Sequence, residues 1–252
     1  MFINAFLTLL VTNPAHLFPL SNIKSKAFAD TWRAIGVTTK AEGPLKNIVA
    51  LFASADGVVL DLGPADGKQV YNYTNPGIKA MYGVEPCKEL HEGLRRVVMK
   101  AGLGEKYHIL DCGAQREELV PKLREVGVLG EKVEGVFDTI ISSKVLCSVP
   151  DQEETVAGLY ALLKAGGRMI VCEHVVNPWQ TPKGSIVARA IQQLFMLQGW
   201  TFFLGGCHLT RDTSEVLKRA ANMDGGWEKV DLESAVMWGT IPFVLGELQK
   251  KK

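Results

Sequence analysis

Gly63 and Gly67 stand four positions apart, directly after the apolar run Gly57–Leu62. Two glycines closing a short β-branched run let the main chain approach a ligand closely, because neither carries a Cβ. Asp61 precedes the pair and Pro64 lies inside it. Glu85 closes the next apolar run, Ile78–Glu85, about twenty residues past the turn, where an acid can accept hydrogen bonds from two ribose hydroxyls. The spacing is not the G-x-G-x-x-G of dinucleotide folds, whose diphosphate needs two closely placed glycines. His174 and His208 are the candidate general bases. His174 is favoured by following the run Arg168–Glu173, since the carboxyl ends of parallel strands face the ligand. For each of the two, a structural histidine bonded to backbone is the competing reading. His16 and His108 lack such placement, and His91 falls on an expected helix.

The five cysteines, Cys87, Cys112, Cys147, Cys172 and Cys207, lie far apart with no C-x-x-C and no pairing expected with nearby histidines. That pattern argues against a zinc site and a disulfide framework, fits a reducing compartment, and leads to the expectation of no metal. A formal charge of +1 gives no electrostatic reason to expect nucleic acid, and the Lys250–Lys252 tail reads as a solvated end.

Positioning these residues requires strands that alternate with helices. Strands are expected at Gly57–Leu62, Ile78–Glu85, Tyr107–Leu110, Val136–Ser142 and Arg168–Glu173. Helices are expected near Lys68–Asn72, Cys87–Ala101, Arg116–Val126 and Gln152–Lys164, the last stopped by Ala165-Gly166-Gly167. Each crossover is long enough for a right-handed βαβ connection in a parallel sheet. After Glu173 the rhythm changes. The segment from Asn177 to Thr210 is rich in aromatics and reads as a helical insertion. A helix over Asp212–Asn222 and closing strands at Trp227–Leu232 and Ile241–Leu248 complete the chain.

With 252 residues, 47% of them apolar and 22% charged, one α/β domain with additions is the expected organisation. Residues 1–56 form a helical cap or lid and residues 57–252 the main domain, with the insertion at 177–210. Within the cap, Ser21 opens a helix through Ala27, Phe28, Trp32 and Ile35, and a second helix over Thr39–Ala53 starts near Gly43-Pro44. The apolar Met1–Val11 segment, ended by Asn13-Pro14, is too short to span a bilayer and lacks the basic start of a signal peptide. It reads as a core or lid helix, as a contact leaning on a membrane surface, or as a dimer contact.

The Asp61-Leu62-Gly63-x-x-x-Gly67 segment resembles motif I of the class I S-adenosylmethionine-dependent methyltransferases. The resemblance implies a Rossmann-like, mostly parallel seven-stranded sheet with helices on both faces, and S-adenosyl-L-methionine as cofactor. It gives Asp61, Gly63, Pro64 and Gly67 the methionine end of that cofactor and Glu85 its ribose. Asp111-Cys112-Gly113-Ala114-Gln115 occupies the place of the family's Gly-Asp-Ala-Glu. The aspartate of that pattern is replaced by Gly113, so Gly113, Ala114 or the Gln115 side chain take the adenine contact, or Asp111 does in a shifted register. Phe137–Val149 resembles motif IV, with Ser143 and Lys144 beneath the cofactor, and Leu162–Arg168 is similar to the family's Leu-Lys-Pro-Gly-Gly turn. A narrower similarity, in Val145–Val149, Glu173-His174-Val175 and Gly206–Arg211, is to the membrane-associated thiol S-methyltransferases, whose hydrophobic anchor is longer than Met1–Val11.

Methyl transfer is an in-line displacement that asks the protein mainly to align the acceptor and exclude water. A thiol, with a pKa near 8.5, needs only modest help to ionise. The insertion's aromatics, Trp179, Phe195, Trp200 and Phe203, are either core packing or an apolar acceptor pocket. The pocket reading predicts methyl transfer to a thiol or hydroxyl of a small lipophilic acceptor in a cytoplasmic enzyme of secondary metabolism, peripheral on an internal membrane if Met1–Val11 leans on one. The alternatives are a C- or N-methyltransferase and a non-methylating protein that keeps the fold. Ala65-Asp66, where the family commonly has a small pair such as Gly-Thr, keeps the second of these open.

Overall fold

The computed structural model describes residues 2–12, 20–35, 45 and 47–252. His16, the Asn13-Pro14 break, Gly43-Pro44 and the side chains of Ser21 and Ile35 lie outside the described residues.

Seven strands form one sheet: β1 (Gly57–Leu62), β2 (Ile78–Val84), β3 (Tyr107–Leu110), β4 (Phe137–Ser143), β5 (Leu163–His174), β6 (Lys229–Ala235) and β7 (Phe243–Gln249). Their spatial order is β3-β2-β1-β4-β5-β7-β6. The first five strands are parallel, while β7 runs antiparallel to both β5 and β6. This is the mostly parallel seven-stranded sheet expected of a class I methyltransferase fold. The switch point lies between β1 and β4, where the chain reverses its direction of travel across the sheet and a crevice opens at the carboxyl edge.

Alternation along β1 shows how both faces are covered. Leu60 and Leu62 pack on one side with residues of α5 (Arg116–Glu125), α6 (Gln152–Leu162) and α9 (Thr213–Arg219). Val59 packs on the other with α3 (Ile48–Ala53) and α4 (Lys88–Lys100). A strand buried on both faces needs a continuous apolar run, which is what Val58–Leu62 supplies apart from Asp61. Helices α1 (Phe2–Thr12) and α2 (Leu20–Ile35) lie outside this repeat. Ala5 of α1 packs on Ile23 and Ala27 of α2, and Ala29 of α2 packs with Ala65, Cys87 and Leu90 over the glycine turn.

Two local expectations are corrected. The helix expected at Lys68–Asn72 is a single 3₁₀ turn, Val70–Asn72. Helix α6 ends at Leu162 and β5 begins at Leu163, so Ala165-Gly166-Gly167 does not cap the helix. Instead the pairing of β4 with β5 jumps from Phe137↔Leu163 to Thr139↔Arg168, and Lys164–Gly167 bulges out with Gly166 at φ +74°.

The insertion is helical, as expected: α7 (Ile186–Leu197) and the short α8 (Trp200–Phe203). Ser185 caps α7 by accepting from the Ala188 N–H.

Candidate functional site

The carboxyl edge of the sheet gathers nearly every residue singled out by the sequence. At the end of β1, Gly63 and Gly67 have φ of +54° and +84°, and Ala65 between them shares the left-handed conformation at +53°. The turn closes with the Gly67 N–H donating to the Pro64 carbonyl at 2.9 Å. A Cβ on Gly63 would meet Val145 Cγ2 at 2.5 Å, and one on Gly67 would meet Leu94 Cδ1 at 2.9 Å. Glycine is therefore needed twice, for backbone conformation and for close packing.

Asp61 is fully buried and accepts from Tyr107 Oη at 2.7 Å, Tyr73 Oη at 2.9 Å and Gln69 Nε2 at 3.3 Å. Burial pushes its carboxyl up to about 6 despite these three donors. Tyr107 reaches Asp61 from β3, across β2, because Gly83 leaves its ring a path. Asp61 thus ties three elements together beneath the glycine turn.

Glu85 sits just past β2 and is 4% exposed. One carboxylate oxygen accepts from the Ala65 N–H and the other from the Cys87 N–H, both at 2.9 Å. Burial raises its pKa to about 7. The acid expected to hold a ribose is directly bonded to the loop expected to hold the rest of the cofactor. Each oxygen keeps a lone-pair site for a further donor.

Past β3, Gly113 donates its N–H to Glu118 Oε2 at 2.7 Å, Ala114 is buried, and the Gln115 amide is engaged by Glu118. Asp111 pairs with Lys88 at 2.7 Å. At the end of β4, Ser143 is buried and its Oγ has no hydrogen-bond partner, and Lys144, the next residue, adopts a positive φ of 60°. Burial lowers the Lys144 pKa. The buried polar side-chain atoms without a partner, among the described residues, are Ser143 Oγ, Asp66 Oδ1 and Tyr160 Oη. The first two belong to the carboxyl edge. Orphaned atoms there, beside left-handed backbone and a buried carboxylate with spare acceptor sites, fit a polar cofactor such as S-adenosylmethionine.

The end of β5 supplies two side chains of different use. Glu173 is fully buried and holds the loop after β4, accepting from Ser142 Oγ at 2.7 Å, the Val145 N–H at 3.0 Å and the Leu146 N–H at 3.2 Å. Burial raises its pKa. His174 points to a sulfur: its Nε2 lies 3.2 Å from Cys207 Sγ. Trp200 Nε1 donates to the same sulfur at 3.3 Å. Cys147, on the loop that Glu173 holds, completes a group in which the ligand atoms of Cys147, His174 and Cys207 all lie within 4.8 Å of one another. A hydrogen bond between the Cys147 and Cys207 thiols raises Cys147 and, with help from His174 and Trp200, lowers Cys207. The expectation that the cysteines have no histidine partner is therefore corrected. Wide spacing in sequence hid a meeting of three loops at one sheet edge.

His208 donates its backbone N–H to the Cys147 carbonyl, and burial, then the Arg211 charge, lowers its imidazole pKa. Of the insertion's aromatics, Phe195 and Trp200 stack with centroids 5.2 Å apart and stand beside Cys207. Trp179 and Phe203 are 44% and 56% exposed, so the four aromatics do not line one enclosed pocket. Sequence reasoning missed Cys147, Cys207, Glu173, Tyr73 and Tyr107. Cys147 and His174 each lie just past or at a parallel strand's carboxyl end, a signal that topology alone could have read.

A family described as "methyltransferase domain" matches residues 38–225, well over half of the chain. Human thiol S-methyltransferase TMT1A is 30% identical over 88 residues, 35% of this chain and 34% of that protein. Rat thiol S-methyltransferase TMT1B is 25% identical over 190 residues, 75% of this chain and 66% of that protein. The chain thus spans less than two thirds of the length of both relatives. Among solved structures, a geranyl diphosphate methyltransferase in complex with S-adenosylmethionine is similar with a TM-score of 0.56 at 12% identity, over 94% of this chain and 95% of that one.

Proposed function

Because the chain belongs to the methyltransferase-domain family, and with it to the class I S-adenosylmethionine-dependent methyltransferases, we propose that it transfers a methyl group to a small lipophilic acceptor, by preference a thiol. The observation that carries the reading is Glu85: a buried carboxylate bonded to the Ala65 N–H of the glycine turn, with acceptor sites left for ribose hydroxyls. Gly63, Pro64 and Gly67 would hold the methionine end with Asp61 bracing the turn, Gly113, Ala114 and Gln115 the adenine, and Ser143 and Lys144 the floor. S-adenosylmethionine, when bound, supplies a methyl carbon on a sulfonium centre that leaves as a neutral thioether. The chain's own residues then have three tasks: to align the acceptor sulfur or oxygen in line with that carbon, to exclude water, and to keep the acceptor ionised. His174 and His208 are the groups proposed for the third task.

Preference for a thiol is supported by the names of both relatives and by the apolar Phe195–Trp200 pair beside the carboxyl edge. Helix α2 over Ala65 suits a lid. Among the described residues no helix is long and apolar enough to cross a membrane. The exposed side chains Phe6, Leu7, Leu10 and Val11 of α1 support contact with a membrane surface instead. The test is calorimetry with S-adenosylhomocysteine, followed by labelled S-adenosylmethionine with panels of thiols, phenols and carboxylates. Binding with label moved to thiols is expected. No binding at millimolar ligand overturns the methyltransferase activity, and label on phenols or carboxylates alone overturns the thiol preference.

A further inference from the structure

Among the described residues one group of side chains offers metal-ligand atoms at close quarters: Cys147, His174 and Cys207. Each comes from a separately anchored element. Cys147 follows β4 on the loop that Glu173 pins through the Val145 and Leu146 N–H groups. His174 is the last residue of β5. Cys207 closes the insertion, where its own N–H donates to the Leu204 carbonyl and the next N–H, of His208, donates to the Cys147 carbonyl at 2.9 Å. Cys147 and His174 are 2% and 7% exposed, while Cys207 is half-buried, so the group is sealed below and approachable from one side.

We propose that Cys147, His174 and Cys207 bind one zinc ion whose open fourth position takes the thiolate of the acceptor. The donor set selects the metal: two sulfurs and an imidazole, with no carboxylate among them, suit zinc and exclude magnesium or calcium. Three protein ligands with a vacant fourth place is the pattern of catalytic zinc, and two cysteines with one histidine is an attested set. Zinc bonds of about 2.0–2.3 Å place tetrahedral ligand atoms about 3.5–3.8 Å apart. The 3.2 Å between His174 Nε2 and Cys207 Sγ opens slightly to reach that spacing, and the widest separation, at most 4.8 Å, contracts by about 1 Å.

The surroundings suit a charged sulfur centre. Trp200 Nε1, a donor only, aims at Cys207 Sγ at 3.3 Å, and Ser148 Oγ lies 3.4 Å from Cys147 Sγ. Arg211 brings a fixed positive charge to the same loop by donating to the Leu146 and Val149 carbonyls at 3.1 and 2.7 Å. Two thiolates neutralise the dication, which keeps the half-buried centre affordable in solvation terms. An incoming thiol gives its proton to solvent, displaces a bound water and becomes the fourth ligand as a thiolate. Metal coordination lowers its pKa, so a group near 8.5 in water is ionised at neutral pH. This inference rests on the thiol-transfer reading for the identity of the fourth ligand, but not for the metal, and in it His174 Nε2 binds zinc in place of acting as the base.

The test uses the full chain, reduced and freed of metal, and titrated with cobalt(II) as a spectroscopic stand-in for zinc. Expected are one cobalt per chain, sulfur-to-cobalt charge-transfer absorption in the near ultraviolet, intense tetrahedral bands in the visible, and a shift of those bands on adding a short alkyl thiol. Zinc should bleach the bands. Cys147→Ser and Cys207→Ser should each weaken cobalt binding at least tenfold, with folding checked by S-adenosylhomocysteine binding. If a serine variant does not fold, His174→Gln serves in its place. No cobalt uptake by the reduced protein, uptake that survives these substitutions, or bands that do not respond to thiol would each overturn the proposal. None of these readouts needs turnover, so a metal-binding chain that methylates no thiol, and a thiol methyltransferase that binds no metal, are told apart.

Discussion

The two edges of the sheet handle charge in opposite ways. At the amino edge, Asp138 accepts from Lys164 Nζ at 2.8 Å and from the Val58 N–H at 2.7 Å, while Arg168 pairs with Asp56 at 2.9 Å and Glu247 at 3.2 Å. These groups are partly solvated and matched with opposite charge, and Asp138 sits below its usual pKa: burial raises it, but the Lys164 and Val58 hydrogen bonds outweigh that. At the carboxyl edge, Asp61, Glu85 and Glu173 are buried among neutral donors, and burial raises all three. Ser143 Oγ has no partner, and Asp66 Oδ1 has none although Asp66 Oδ2 pairs with Lys68 at 3.1 Å. Among the described residues the amino edge matches its charges, and its one buried orphan is Tyr160 Oη at the end of α6. The carboxyl edge holds unspent hydrogen-bonding capacity in a low-dielectric setting, which is the signature of a place shaped for a ligand.

The comparison is broken most directly at Glu85. Glu85→Ala removes the proposed ribose acceptor and the partner of the Ala65 N–H, and should weaken S-adenosylhomocysteine binding about 100-fold, since charged hydrogen bonds contribute about 1.5–3 kcal/mol each. Unchanged affinity by calorimetry would remove Glu85 from the site. Next comes Gly83→Ala, which drives a methyl group into the Tyr107 ring. Overpacking there should cost about 1–3 kcal/mol of stability in urea unfolding. Adding Tyr107→Phe should not rescue it fully, because the ring, as well as the hydroxyl, blocks the methyl.

A pH series sharpens the contrast. With Glu85 pushed up to about 7, a falling pH protonates the group proposed to accept the ribose hydroxyls. Affinity for S-adenosylhomocysteine should therefore rise from pH 6 to pH 8, by up to about tenfold per unit below the midpoint. A flat profile would show that the ionised form is not what binds. The smallest effect belongs to the amino edge. Lys164→Met breaks a half-exposed pair with Asp138, so the loss should be about 0.5 kcal/mol, with cofactor affinity unchanged.

Much of the sheet was legible in the sequence because buried parallel strands announce themselves as short β-branched runs. Gly57–Leu62 and Tyr107–Leu110 fall where expected, and the residues at the strands' carboxyl ends lie at that edge because strand ends fix their position. The stretch after Gly67 read as a helix because it has polar helix formers, yet the tight turn leaves room for a single 3₁₀ turn. The Cys147–His174–Cys207 group was illegible for a different reason. Its members are brought together by strand order and by an insertion that folds back over the edge, and neither is encoded in local spacing. The exposed positions of Trp179 and Phe203 likewise depend on how that insertion packs, since aromatic content alone does not say which rings face inward.

The Tyr107–Asp61 hydrogen bond has a mechanical consequence. It spans from the outermost strand to the one at the switch point, passing over the bare backbone of Gly83. Sliding β3 relative to β1 would tear it, so β1, β3 and the β2 strand hydrogen-bonded between them hold together as one raft. The glycine turn is mounted on that raft. Resting on top of it are the proposed lid, helix α2 over Ala65, and the insertion that leans on α2 through Phe28 and Gly205. Turnover in this chain would then be timed by the roof, with the floor acting as a fixed anvil.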